Sequence, residues 1–457
     1  MTVAEDTRDT GSLGGEVIRP GDPGYDDARA LYNAMIDKRP AAIARCRTVG
    51  DVAATIESAR KAGLALAVRG GGHSGPGFGS VDGGVVLDLS PLDHIEVDPD
   101  ARLVRVGGGV TWGQVDAATH TYGLATPSGV IASTGVGGLT LGGGTGYLSR
   151  KHGLTIDNLV EAEVVLADGR VVTASESQHP DLFWALRGGG GNFGVVTSFT
   201  FRLHPVRNVI CGPTAWPVSA TADVLRWFRD FLPAQDEDLY GFFATMTVPP
   251  APPFPEAFHL QKACAVVWCY TGDPARVEEV FAPVRELQPA FDGLGEAPYP
   301  ALQSTFDSLY PTGLQWYWRG DFFRTVPDEA VAAHARFAEE SPTMHSAMHL
   351  YPIDGAVHRV GQTDTAWAYR DVNFSQVIVG VDPDPANAAA VKRWAVDYSD
   401  ATHPYSAGGA YVNFMMDEGK DRVRATYGPN YQRLTAVKAE YDPHNVFRIN
   451  QNIEPAR

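Results

Sequence analysis

Along residues 51–63, DVAATIESARKAG, apolar positions recur at helical spacing, and the segment predicts an amphipathic helix leading into an apolar strand over 64–69. Short strand-like runs follow at 85–89, 94–97 and 103–106. A second helix is predicted from Thr111 to about Tyr122, stopping at Gly123, a residue type favoured just past a helix end. NLVEAEVVLADGRVVTAS alternates apolar and polar positions on both sides of Asp168-Gly169, the pattern of a two-stranded hairpin. DLFWALR reads as a helix and GVVTSFTF as a strand after it. Beyond this point the glycine-rich loops stop, proline-rich turns appear at 249–255, and aromatic-rich strands alternate with helices. The pattern divides the chain into a first part, 1–205, a second lobe, 206–410, and a tail, 411–457, that returns to the first part.

Composition agrees with more than one core, since 457 residues with 44% hydrophobic content exceed what a single small core needs. No stretch approaches the roughly 18–20 uncharged apolar residues of a membrane span. The opening MTVAEDTRDTGSLGGE is polar and acidic where a secretory signal would be basic and then apolar, so a cytoplasmic protein is expected. A formal charge of −17 argues against nucleic acid or an anionic membrane surface as partner and favours a small neutral or cationic ligand. A monomer or homodimer is expected. Cys46, Cys211, Cys264 and Cys269 are too few for a disulfide framework and lack the companions of a zinc site, so buried thiols and no metal are expected.

Glycine changes the picture. The 49 glycines concentrate at 70–79, 107–109, 135–146 and 188–194, between apolar strand-like runs, where backbone would approach a large ligand. Gly70-Gly72-Gly75 and Gly189-Gly191-Gly194 satisfy G-x-G-x-x-G, yet neither follows a strand and opens a helix, as a dinucleotide-binding loop must. Glycine turns can still form backbone nests for pyrophosphate, and Arg69 at the mouth of the first could add a charged contact. His73 lies within that loop, in RGGGHS. It reads either as a polar loop histidine bonded to a backbone carbonyl or as a nucleophile for the 8-methyl carbon of a flavin, and spacing alone leaves both open.

VRGGGHSGPGFGSVDGGVVLDLS, SGVIASTGVGGLTLGGGTGYLSRKHGLTIDNL, LFWALRGGGGNFGVVTSFTFRLHPV and the C-terminal YVNFMMDEG…YDPHNVFRINQNI together resemble the berberine bridge enzyme-like oxidases of the vanillyl-alcohol oxidase superfamily. The resemblance implies an α+β fold: a two-lobed PCMH-type FAD-binding domain with an inserted substrate domain, an antiparallel sheet backed by helices. It implies FAD attached once, as 8α-histidyl flavin, to His73. Arg69, Gly70, Gly71, Gly72, Ser74, Ser128, Gly129, Thr134, Gly135, Gly137, Gly138 and Gly144 then fall to the flavin and its pyrophosphate, Val195 to the adenine, and Asn450 and Asn452 to the returning tail. Ile131 stands where doubly attached members carry a cysteine, which implies a single bond. Thr134 stands where oxygen access is controlled and is close to valine in size, which implies O₂ as acceptor.

For catalysis the resemblance assigns Tyr411 as base or proton relay, with Asn413 on the same face of an expected strand. A phenol titrates near 10, so a basic role at neutral pH needs neighbours that stabilise tyrosinate. Many relatives carry a lysine and an acidic or amide residue two apart on a strand of the second lobe; the alignment puts Ala356 and His358 there, His358 as partner or base. Trp316, Tyr317 and Trp318 occupy both faces of one predicted strand; Tyr317 is taken as the pocket residue, with Phe374 and Tyr310 as further walls. The expected reaction is two-electron oxidation of an alcohol or amine on a small secondary-metabolite-type substrate, with O₂ reduced to H₂O₂. A sugar or oligosaccharide oxidase, a flavin-bearing drug-binding resistance protein and a nicotinamide-fed reductase are the alternatives. An open groove would favour a sugar, a closed aromatic cavity a metabolite.

Overall fold

Residues 12–457 are described by a computed structural model. The helix foreseen near residue 51 runs over Val49–Lys61, opened by Thr48, whose hydroxyl accepts the Asp51 N–H at 3.1 Å while the Asp51 carboxylate accepts the Thr48 N–H at 2.9 Å. Its buried stripe, Val52, Thr55, Ile56 and Ala59, has helical spacing and packs on a four-stranded sheet. In that sheet Ala42–Arg45 and Leu66–Arg69 both run parallel to Val85–Asp88, and Val85–Asp88 is buried throughout, as a strand covered on both faces must be. The strand ends at Arg69, so the glycine loop at 70 begins at the sheet's carboxyl edge.

A five-stranded antiparallel sheet follows, in the order Ile95–Asp98, Leu103–Gly107, Val195–Arg202, Leu159–Val165, Val171–Ser175. Its last two strands are the expected hairpin, turned by Gly169 at φ +86°. The second predicted helix is Trp112–His120, begun by Thr111 and followed by Gly123 at φ +70°.

The largest sheet is antiparallel, with all its strands between residues 208 and 382. Alternation along its strands divides two faces. Phe374 and Ile378 join Phe228, Trp268, Phe337 and Tyr398 in a core under the helices Thr221–Phe231, Asp328–Glu339 and Ala388–Thr402. Val377, Val379 and Val381 point the other way, with Trp316 and Tyr351, toward the glycine loops.

The tail is tied back by Lys438 in the helix Tyr431–Tyr441. Its ammonium donates to Asn192 O at 2.7 Å, Phe447 O at 2.9 Å and the Asp442 carboxylate at 2.7 Å. The four cysteines are buried and unpaired. Among the described residues, no helix is long and apolar enough to cross a membrane.

Candidate active site

A cavity of about 380 Å³ lies between the glycine loops and the uncovered face of the large sheet. Its wall includes Leu66, Leu89, Val195 and Phe447, which pack with the four-stranded sheet, and Tyr310, Trp316, Trp318, His349 and Tyr351 from the second lobe. Two glycine loops meet along it backbone to backbone: a methyl group on Gly71 would lie 2.5 Å from Gly135 N, and one on Gly135 would lie 2.4 Å from Gly71 N. Any other residue at either position would push the loops apart.

Arg69 is buried at the loop mouth, and its Nη2 donates to the Asp88 carboxylate at 2.8 Å. His73 lines the cavity, and burial pushes its pKa down to about 4, partly offset by a backbone hydrogen bond with Ser133. The imidazole is therefore neutral at neutral pH and holds a lone pair.

Tyr411 and Asn413 also reach the cavity, but not as neighbours on a strand. Tyr411 precedes one 3-10 turn, Val412–Phe414, whose curvature brings the two side chains together. The Tyr411 hydroxyl oxygen accepts the Gly144 N–H at 2.8 Å and the Asn413 amide at 2.8 Å. Glycine at 142 makes room for this, since a methyl group there would sit 2.3 Å from Asn413 Oδ1. The two donors favour tyrosinate, yet burial wins and pushes the phenol up to about 12.

Several expected residues lie elsewhere. His358 sits in the 3-10 turn Gly355–Arg359 with its Nε2 bonded to Val372 O at 2.8 Å, and neither it nor Ala356 lines the cavity. The strand facing the cavity is Ala347–Pro352, seven residues earlier, and its residues two apart are His349 and Tyr351. His349 Nδ1 lies 2.7 Å from the Tyr351 hydroxyl, and burial pushes the imidazole down to about 4. Tyr317 points to the helix side of the strand Gln315–Phe323, between Arg319 and Lys392, while Trp316 and Trp318 face the cavity. Phe374 is likewise in the helix-side core, 6.0 Å from Phe228. Tyr310 is a wall residue, as expected.

Among the residues expected at the cofactor, Ser128, Gly144 and Asn452 are not on the wall. Ser128 is buried under Gln303, and Gly144 acts through its bond to Tyr411. Gly70, Gly72, Ser74, Gly129, Thr134, Gly137, Gly138, Val195 and Asn450 all line the cavity, and Ile131 joins them. His349, Tyr351, Phe414 and Tyr32 were missed. The alternation of MHLYP was the available signal for the first two, because His349 and Tyr351 flank an apolar residue at strand spacing.

The wall suits FAD. Arg69 Nη1, Thr145 Oγ1 and Asn450 Oδ1 are buried wall atoms with no hydrogen-bond partner among the described residues. Each such atom costs about 1–3 kcal/mol unless a ligand supplies its partner. A methyl group on Gly138 or Gly191 would meet nothing within 4 Å, so the backbone there is open to a flat ligand.

Comparison with known proteins agrees. Residues 40–175 match the FAD binding domain family, and residues 410–454 match the family described as berberine and berberine like. The chain is 32% identical to the (R)-6-hydroxynicotine oxidase of Paenarthrobacter nicotinovorans over 97% of each protein. It is 29% identical to the glucooligosaccharide oxidase of Sarocladium strictum over 94% of this chain and 91% of that one. The crystal structure of 6-hydroxy-D-nicotine oxidase from Arthrobacter nicotinovorans superposes with a TM-score of 0.87 at 29% identity, covering 97% of this chain and 99% of that one. A mixed α+β architecture, a glycine-lined cavity fitted to FAD and full-length similarity to named oxidases converge: this chain is an enzyme of the berberine bridge enzyme-like family of FAD-linked oxidoreductases.

Proposed function

We propose that the protein oxidises an alcohol or amine group on a small, flat, uncharged secondary-metabolite-type substrate, with its FAD held covalently by His73 and O₂ as electron acceptor. The observation that carries this reading is the wall beyond His73. Trp316, Trp318, Tyr310 and Phe414 supply aromatic faces, and the polar groups among them, Tyr411, Asn413, His349 and Tyr351, are neutral at pH 7. Such a surface stacks on a planar molecule. A buried ammonium would need a carboxylate partner, so an amine substrate reacts as its free base.

FAD held by the glycine loops and His73 would supply the two-electron acceptor for a substrate hydride, with O₂ reduced to H₂O₂. The chain must remove the proton from the adjoining O–H or N–H. Tyr411 holds its own proton until about pH 12, whereas His349 is neutral above about pH 4. His349, an unprotonated imidazole on the cavity wall, is the proposed proton acceptor, and the Tyr411 hydroxyl orients the substrate as a hydrogen-bond donor, its oxygen already occupied by Gly144 and Asn413. The expected kcat/KM for a non-titrating alcohol is level across the neutral range and falls on acidification toward about pH 4. A rate rising about tenfold per pH unit through the alkaline range would transfer the proton-accepting role to Tyr411.

The small Thr134 and the apolar Ile131 on the wall support O₂ access and a single attachment. The test of the reading is a screen for H₂O₂ release against aromatic alcohols, cyclic amines and oligosaccharides, using protein whose flavin content is known. Equimolar H₂O₂ and product from an aromatic or cyclic substrate is the expected outcome; turnover of oligosaccharides alone would replace the substrate class with sugars. In parallel, acid precipitation of the native chain is expected to leave the yellow colour in the pellet, and that of His73→Ala to release it all.

A further inference from the structure

One short segment ahead of the first glycine loop holds His73 from the side. Tyr32 N–H donates to Gly72 O at 3.3 Å, and the Tyr32 ring stacks on the His73 imidazole with centroids 4.0 Å apart and planes 18° apart. The other side of that ring meets the cavity wall, with Trp316 at 5.3 Å, and the Tyr32 hydroxyl donates to Tyr310 O at 2.8 Å. Asn33 extends the strap. Its buried amide donates to Gly75 O at 2.7 Å and Trp316 O at 3.1 Å, while its oxygen accepts the N–H groups of Met35 at 3.0 Å and Trp316 at 3.1 Å. Three of these four bonds tie the His73 loop to the wall strand, and the fourth holds the strap's own turn.

We infer that Tyr32 is a positioning residue for flavin attachment: clamped between the Tyr310–Trp316 wall and the glycine loop, its ring sets the plane in which the His73 imidazole presents a lone pair. The inference rests on the covalent attachment proposed above. With one ring nitrogen engaged by the Ser133 backbone, the lone pair belongs to the other nitrogen. Attachment exchanges a C–H bond of the flavin 8-methyl group and the imidazole N–H for one C–N bond; the two electrons and two protons released pass to O₂, which leaves as H₂O₂. A ring free to rotate about its side-chain bonds would spend little time aligned for this, and misalignment of about 1 Å costs on the order of 100-fold in rate.

The experiment compares full-length holoprotein carrying Tyr32, Tyr32→Phe or Tyr32→Leu, freshly purified and then exposed to air. At each time the flavin retained by acid-precipitated protein is divided by total flavin from absorbance. Tyr32→Phe, which keeps the stacked ring, is expected to attach flavin at close to the native rate. Tyr32→Leu is expected to attach it at least about tenfold more slowly at equal total flavin. The pH profile supplies a second readout: native attachment persists on acidification toward about pH 4, whereas Tyr32→Leu, its imidazole opened to water, loses rate nearer the ordinary histidine range.

Equal rates in Tyr32→Leu and the native chain at equal total flavin would overturn the inference. Should Tyr32→Leu not retain flavin, Tyr32→Met carries the same comparison; loss of all flavin there too would make Tyr32 a structural support and overturn it. A native chain that releases all its flavin in acid removes the attachment reading itself, and this outcome is recognised without any Tyr32 variant.

Discussion

Replacing Tyr411 by phenylalanine is expected to slow anaerobic reduction of the flavin by substrate by about 10²-fold, the cost of a reactant misplaced when the hydroxyl that orients it is lost. Substrate Kd should change far less, because the ring keeps its edge contact with Phe414, with centroids 4.7 Å apart. The hydroxyl is the only difference, and it is the atom that organises this corner of the cavity. Without it the Gly144 N–H loses its 2.8 Å partner and the Asn413 amide keeps only Leu139 O at 3.2 Å. The fold should lose about 1–3 kcal/mol for the buried donors left unpaired. Stopped-flow reduction with the substrate found in the screen separates the two effects, since instability lowers the amount of competent enzyme and not its rate constant. A reduction rate within about threefold of native would remove Tyr411 from the reaction.

Replacing Lys438 by methionine is expected to cost about 3–5 kcal/mol in unfolding free energy, the penalty for breaking a buried pair from one side. Lys438 and Asp442 are fully buried, and the Asp442 carboxylate also accepts the N–H groups of Val446 at 2.8 Å and Phe447 at 2.9 Å. Removing the ammonium strands the carboxylate and frees two carbonyls, one of them Asn192 O in the glycine loop at 188–194. The bond to Phe447 O seats Phe447 on the cavity wall, and Asn450 on the same wall donates to that carbonyl at 3.1 Å, so flavin retention should fall together with stability. Denaturant unfolding measures the first effect and flavin release on dilution the second. The double change Lys438→Met with Asp442→Leu should recover only part of the stability, because no charge is then left buried but the Val446 and Phe447 N–H groups lose their acceptor.

Local features proved legible because they depend on near neighbours in sequence. The helix Val49–Lys61 announces itself by its apolar stripe, and the hairpin by Asp168-Gly169 between alternating runs. The glycine loops mark backbone contact for a related reason, since no other side chain fits where Gly71 and Gly135 touch. His73 stands out because its loop is a long, ordered motif, and it lines the cavity. The C-terminal YVNF motif singles out Tyr411 and Asn413, both of which line the cavity, although their meeting depends on a 3-10 turn that a strand reading does not contain.

Distant packing decided the rest. Alternation shows that Trp316 and Tyr317 face opposite ways, but it does not say which way the cavity lies; the helices Thr221–Phe231, Asp328–Glu339 and Ala388–Thr402 decide that by covering the Tyr317 side. Ala356 and His358, expected on a strand, lie in a 3-10 turn off the cavity, whereas His349 and Tyr351 on the strand Ala347–Pro352 face it, because strand position in that lobe follows from pairing with Phe374–Asp382 and not from local composition. Burial set the proton chemistry, raising Tyr411 to about 12 and lowering His349 to about 4. The sequence by itself determined the elements, the glycine loops and the family, all carried by residues close together in the chain. Which aromatic and titratable groups meet in the cavity, and which of them hold a proton there, only the tertiary structure decided, because sheet register, helix cover and desolvation are set by residues far apart in sequence.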